Sequence, residues 1–491
     1  MRFTKILMAG AATLALAACG SAEVASPGEG NFGGGTGGGT GGGGGTGGGG
    51  GTGGGTTPAT CPTGTTNVGT VTAAGGAVLR NCQLPNLIVG GLSLDNVTGV
   101  IYSVSGRVDV GSDRGPNPAA PLAGSQQGIL TVAPGVRVFG SGGLDYIVVN
   151  RGSQIFAEGT ATSPVIFTSR QSIEGTTNAD SIGQWGGLVL LGRAPIAACP
   201  AGVTAPNVAC EAQVEGTNAF YGGNTVADNT GRLRYFRLMH SGFQILPGNE
   251  LNGITVAGVG NGTVMEYIQV HNSSDDGIEP FGGTVNMKYV VLTGNDDDSF
   301  DTDTGYRGAV QFMIIRQAAA RGDRGFEFSA AGSSSATLFT RPVISNLTLI
   351  GRTDNGGGDA IVLNTGNALR LYNSVVTKAG TGTCFDIDDA ATVTNGPTFN
   401  SVFLTCGTLY RADANQDAAT SGIFATGANN ASGTSTLNGV INGANETARP
   451  TTAVAGLDPF FVNTTYIGAV RDAADTWYNG WTCGIATGST C

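Results

Sequence analysis

Lysine is almost missing: Lys5, Lys288 and Lys378 are the only three in 491 residues. Together with a net charge of −11, this argues against nucleic acid as a partner, because phosphate binding needs clustered cations. Histidine occurs twice, and no two cysteines stand in CxxC spacing. That argues against a zinc site and against thiol redox chemistry. Aromatic residues are 7% and charged residues 12% of the chain, both low. No amphipathic pattern runs long enough for a helix of three turns. Glycine is abundant instead, 85 of 491, with Thr, Ser, Ala, Asn and Val making up much of the remainder. Such a mixture suits many short strands joined by turns.

The first 18 residues read as a targeting segment rather than as fold. Arg2 and Lys5 supply the charge, and Ile6 to Leu16 the apolar run, which is too short to span a membrane. Leu16-Ala17-Ala18-Cys19 resembles the lipobox of bacterial lipoproteins, so Cys19 is the expected lipidation site. Ordinary signal-peptidase cleavage after small residues is the alternative. Gly20 rather than Asp after the cysteine favours the outer membrane, on its periplasmic or cell-surface face. Residues 19–60 follow as a tether, and Gly33 to Thr57 holds only Gly and Thr. A flexible coil of that length has an end-to-end distance of about 35 Å.

Eight cysteines remain beyond Cys19, an even number in an exported chain. Their spacing suggests local pairs: Cys61–Cys82, Cys199–Cys210, Cys384–Cys406 and Cys483–Cys491. The third gap, 22 residues, is one repeat long and would staple neighbouring turns.

That repeat is written most clearly in acids. Asp275-Asp276-Gly277-Ile278-Glu279 is followed 22 residues on by Asp297-Asp298-Ser299-Phe300-Asp301, and 26 further by Asp323-Arg324-Gly325-Phe326-Glu327. Repeats of this length are single turns of a stacked solenoid. Asn346, Asn373 and Asn400 recur at intervals of 27 beside apolar strands. A β-sandwich has short strands but no such repeats. The pattern predicts an all-β, right-handed parallel β-helix of on the order of 12 to 15 coils. Residues 61–100 are expected as its N-terminal cap, 101–450 as its body and 451–491 as its C-terminal cap region. Ile278, Phe300, Phe326 and Ile361 are expected in its core.

Several longer motifs carry a resemblance. Leu130-Thr131-Val132-Ala133-Pro134-Gly135, Arg151-Gly152-Ser153-Gln154-Ile155, Pro164-Val165-Ile166-Phe167-Thr168-Ser169 and Trp185-Gly186-Gly187-Leu188-Val189-Leu190-Leu191-Gly192 are four of them. Val214-Glu215-Gly216, Tyr466-Ile467-Gly468-Ala469 and Trp477 with Gly480-Trp481 fit the same pattern. The chain is similar to the pectin-lyase-like parallel β-helix lipoproteins of Gram-negative bacteria, over nearly all of residues 100–485. The resemblance implies the fold and a surface location, and association with a TonB-dependent receptor. It implies no particular activity.

In a stacked solenoid the acids of successive turns lie roughly 4.8 Å apart. Glu279, Asp301 and Glu327 are expected as one outward ladder, and Asp275, Asp297 and Asp323 as a second. Asp276, Asp298 and Arg324 lie beside them, with Asp303 adding oxygen. Hard oxygen clusters suit calcium, which takes six to eight oxygens in irregular geometry. Two alternatives remain open: pairing with Arg307, Arg316, Arg321 or Arg324, and acceptance of turn N–H bonds. Tyr235, Tyr267, Tyr289 and Phe312 occupy matching places and predict an external aromatic ladder beside the acids, able to stack on sugars or anchor a partner. A loop from 216–230 or 328–342 would alternatively cover it. His240 and His271 follow equivalent strands and are expected at the same turn.

Two functions are consistent with these residues. One is a membrane-anchored binding or scaffold module for a glycan or an outer-membrane transporter. The other is a calcium-dependent polysaccharide lyase or glycoside hydrolase at coils 275–327, with Arg307 or Arg324 as base or Asp297, Asp298 and Asp301 as the acids. The Gly-His-Gly and Arg-x-Lys motifs of polygalacturonase-like enzymes do not occur.

Overall fold

The computed structural model describes residues 60–246, 249–330, 338–411, 417–485 and 491. The expected signal segment, Cys19 and the Gly/Thr tether lie outside the described residues. Among the described residues no helix is long and apolar enough to cross a membrane.

The chain winds as a parallel β-helix, with 25 strands in one hydrogen-bonded sheet. Each coil contributes a strand to three faces. The first face stacks eleven rungs among the described residues: Leu87–Ile88, Arg107–Val110, Tyr146–Val149, Gly187–Leu191, Ile254–Ala257, Ile278–Phe281, Phe300–Thr302, Phe326–Phe328, Ile361–Leu363, 385–387 and 408–410. Another face stacks twelve, from Val78–Gln83 to Ala431–Ser432, among the described residues, which meets the lower end of the expected 12 to 15 coils. Alternation decides which side chains enter the core. Ile278, Phe300, Phe326 and Ile361 are in register and fully buried, as expected.

From Gly231 onward the second and third faces share one continuous strand that bends at a single residue. That residue has positive φ on every coil: Tyr235 at 45°, Tyr267 at 57°, Tyr289 at 61°, Phe312 at 62°, Asn346 at 59°, Asn373 at 47° and Ser401 at 57°. The left-handed conformation costs an ordinary L-residue about 1–2 kcal/mol, and Asn tolerates it best. The asparagine ladder therefore ends differently from its sequence spacing. Tyr372 pairs with Asn400, so Ser401, not Asn400, follows Asn373 at the bend.

All four disulfides form as the spacing suggests, Cys61–Cys82, Cys199–Cys210, Cys384–Cys406 and Cys483–Cys491. Cys384–Cys406 joins paired strands of adjacent coils. The parallel ladder begins inside the segment expected as N-terminal cap: Val78–Gln83 pairs with Val100–Val104, and an antiparallel strand, Thr66–Thr72, covers its outer edge. At the other end the helix Asp417–Thr426 brings Phe424 against Phe385, Phe399 and Tyr410.

The tail does not sit on that end. It runs along the bend between the second and third faces. Asn373 exchanges two hydrogen bonds with Thr452, and Asn346 Nδ2 donates to the carbonyls of Tyr466 and Gly468. Arg237 donates to the carbonyl of Trp481, and Gln269 to that of Cys483. Trp481, fully buried, stands edge-on to Tyr235 and Tyr267 at 5.9 Å from each. Trp481→Ala should cost about 3–5 kcal/mol and release the tail to limited proteolysis, whereas Leu122→Ala, 53% exposed, should change neither. Denaturant unfolding of the two variants checks this.

Candidate functional site

The first face carries the acids. Strand alternation turns Ile278, Phe300 and Phe326 inward, so Glu279, Asp301 and Glu327 project outward from three successive rungs, Asp301 directly paired with Glu327. Asp276, Asp298 and Arg324 follow the same register three residues earlier, and Asp275, Asp297 and Asp323 one residue before those. The insertion 192–222 is pinned to the coil body by Arg151, which pairs with Asp113 at 2.5 Å and Glu211 at 2.8 Å. Its residues Ile196, Val214 and Tyr221 pack on the outward-facing Val148, Val189 and Phe281 and wall the acids on one side. Asp276 and Glu279 are each 6% exposed.

Three sets of carboxylates bring their oxygens within 4.8 Å of one another: Asp275, Asp276 and Asp297; Asp276, Glu279 and Asp301; and Asp297, Asp298 and Asp323. Both alternatives to metal binding operate, but on part of the group. Arg324 binds Asp323 at 2.6 Å and Glu327 at 2.7 Å, and lies 4.0 Å from Asp298. The amides of Asp298, Arg324 and Gly358 donate to Asp276, Asp298 and Asp323 at 2.9, 2.7 and 2.6 Å. These bonds satisfy the end of the cluster nearest Arg324. The two sets that share Asp276 have no arginine or lysine in ion-pair contact among the described residues. Of the other expected ligands, Glu327 belongs to Arg324 and Asn364, and Asp303 accepts from the amide of Thr304. Neither enters a set.

Two acids that sequence reasoning passed over complete the site. Glu215, in the insertion, accepts from the amide of Glu250, and the charges of both act on Asp275. The only signal for Glu215 was its place in the Val214-Glu215-Gly216 motif. Asn252 also belongs here: its Nδ2 donates to Glu279 at 2.6 Å, while its Oδ1 is buried with no donor. An orphaned buried oxygen beside stacked carboxylates fits a hard cation. Asp275, Asp276, Glu279, Asp297, Asp301 and Asn252 would hold it. Calcium bound there would supply positive charge to the cleft.

Electrostatics points the same way. Burial first, and then the neighbouring charge of Asp301, hold Asp276 and Glu279 well above the usual carboxylate range. Burial and the charge of Asp297 push Asp275 up to about 8. Arg324 behaves oppositely. Burial alone would lower it, but Asp298, Glu327 and Asp323 outweigh burial and raise it. A guanidinium so held is a poor proton acceptor.

The aromatic ladder forms, but elsewhere. Tyr235, Tyr267, Tyr289 and Phe312 stack at centroid distances of 4.3, 4.4 and 5.0 Å. They occupy the bend between the second and third faces, away from the acids, and Trp477 and Trp481 of the tail pack against them. Among the described residues the tail, rather than either expected loop, supplies the aromatic cover. The ladder is a half-buried seam under the tail rather than an open sugar platform. The histidines are also one residue out of step. His271 pairs with Met239, so His240 matches Asn272. His240 Nδ1 lies 2.7 Å from the carbonyl of Ser181, and burial drives His271 down to about 3. Both are buried near a turn, outside the acid sets.

A solenoid of this kind, with acids stacked on one face, defines the class as parallel β-helix proteins. The chain belongs to the family of pectate-lyase-like beta helix domains, whose pattern it matches over residues 119–482. No curated protein and no solved structure matches it.

The raised carboxylates fix the sign of a pH effect. A group whose pKa is higher folded than unfolded binds extra protons in the folded state between the two values, so stability falls as pH rises through that window. For Asp275 the window runs from about 4 to about 8. In chelator, the melting temperature of the full chain should fall between pH 5 and pH 8. Asp275→Asn should flatten that fall.

Proposed function

We propose that this chain is an exported, lipid-anchored binding module. Its acid cleft takes calcium and uses it to hold acidic glycans. The observation that carries this reading is the pair of overlapping carboxylate sets that share Asp276, beside the insertion and with no arginine or lysine in ion-pair contact among the described residues. A dication relieves the repulsion that otherwise keeps these groups protonated. Once bound, it attracts ligand carboxylates to a face that would repel them. Presentation of the glycan to an outer-membrane TonB-dependent receptor extends this reading and rests on the family resemblance alone. Anchoring through Cys19 rests on the lipobox.

Cleavage by a calcium-dependent lyase would need a base in the same cleft. Arg324 is committed to three carboxylates, and Arg307 donates to the carbonyl of Phe339. Binding is therefore the better-supported use of the cleft.

Calcium should raise the melting temperature of the full chain at pH 7.5 by several degrees, and Asp276→Asn should weaken calcium binding roughly 10–100-fold. Oligogalacturonate should bind wild type only with calcium present. Unchanged melting with calcium, or equal binding in chelator, would contradict the proposal. Appearance of unsaturated products would move the assignment to a lyase.

A further inference from the structure

Four rungs from the acids, the same face carries a second cleft of different chemistry. Register connects Asp109, Val148, Val189, Thr255 and Glu279 in one column, so Asp109 lies about 19 Å along the axis from Glu279. The insertion covers the rungs between and separates the two clefts. The second cleft has a volume of about 230 Å³, room for about eight waters or one sugar ring. Arg107, Asp109, Asn150, Asn218 and Phe220 line it.

Its polar groups are held firmly and leave specific atoms open. Arg107 donates through Nε and an Nη to one oxygen of Asp109, at 3.0 and 2.7 Å. Asn150, 97% buried by its 3% exposure, donates to that same oxygen at 2.8 Å. The other Nη of Arg107 reaches Thr217 at 3.0 Å and Asn218 Oδ1 at 2.6 Å, which ties the insertion to the coil. Asp109 Oδ2 and Asn218 Nδ2 have no partner among the described residues. One is an acceptor and the other a donor.

Phe220 stands at the rim. It follows the insertion's turn in a short antiparallel strand, where buried Tyr221 fixes the alternation and turns Phe220 outward. At 45% exposure it is the only exposed aromatic among the described residues. An open ring beside a fixed acceptor and donor matches a sugar, which offers an apolar C–H face and hydroxyls that both give and take hydrogen bonds. Charge selects the sugar type. The positive charge of Arg107 is already answered by Asp109, whose open oxygen would repel a uronate.

We propose that the Arg107–Asp109–Asn218–Phe220 cleft is a neutral-sugar site that works without calcium. It is independent of the acid-cleft reading, and a chelator separates the two. The test is saturation-transfer NMR and calorimetry on the full chain in excess EDTA, using β-linked tetrasaccharides of glucose, mannose, galactose and xylose. At least one should bind. Phe220→Ala and Asn218→Ala should each weaken it about tenfold or more, Phe220→Tyr should retain it, and Asp276→Asn should leave it unchanged. Phe220 is exposed, so its variants should keep the wild-type melting temperature. No binding by any of the four, binding that needs calcium, or equal affinity in Phe220→Ala would overturn the proposal.

Discussion

The coils of this chain find their strand hydrogen bonds on neighbouring coils, in parallel register. That constraint fixes the rest. Equivalent residues must lie about 4.8 Å apart, whatever their chemistry. Apolar residues in register become one continuous core, running through Ile278, Phe300, Phe326 and Ile361. Acids in register become a repelling column, and the fold must then protonate them, pair them or bind a cation. Arg324 pairs one end, and the amides of the next coil take part of the rest. The end around Asp276 has no arginine or lysine in ion-pair contact among the described residues. Stacking therefore makes the candidate site, and its burial makes a cation worth more there than at an open surface.

The same constraint explains the opposite corner. A strand that serves two faces must bend on every coil, and the bend demands positive φ at one residue. Asparagine accepts this at Asn346 and Asn373, where its amide also holds the tail. Tyr235, Tyr267, Tyr289 and Phe312 accept it less readily. Their mutual stacking and the packing of Trp477 and Trp481 offset the cost. Aromatics so placed serve stability. This reassigns the feature that most resembled a binding surface in the sequence.

The fold was legible because its signals repeat. Acid motifs, apolar alternation and cysteine spacing all report the coil length, and each is local. The outward carboxylate columns were legible for the same reason. Two errors were errors of one residue: Asn400 for Ser401, and His240 set level with His271. Spacing alone does not fix register when coils differ in length. Larger misses came from contacts distant in sequence. Glu215 and Asn252 reach the acids through an insertion and a neighbouring coil, and Trp481 covers Tyr235 from 246 residues away. No periodicity encodes those approaches. Phe220 went unremarked because Arg107 and Asp109, which line the same cleft, lie more than a hundred residues earlier.

The central claim is that the acid cleft is a calcium site. The most direct measurement is an anomalous difference map from crystals grown with calcium at neutral pH. The account predicts a strong peak among Asp276, Glu279, Asp301 and Asn252 Oδ1, with oxygens at about 2.3–2.6 Å. A map with those side chains ordered and no peak between them would contradict it, and the acids would then stand as protonated turn caps.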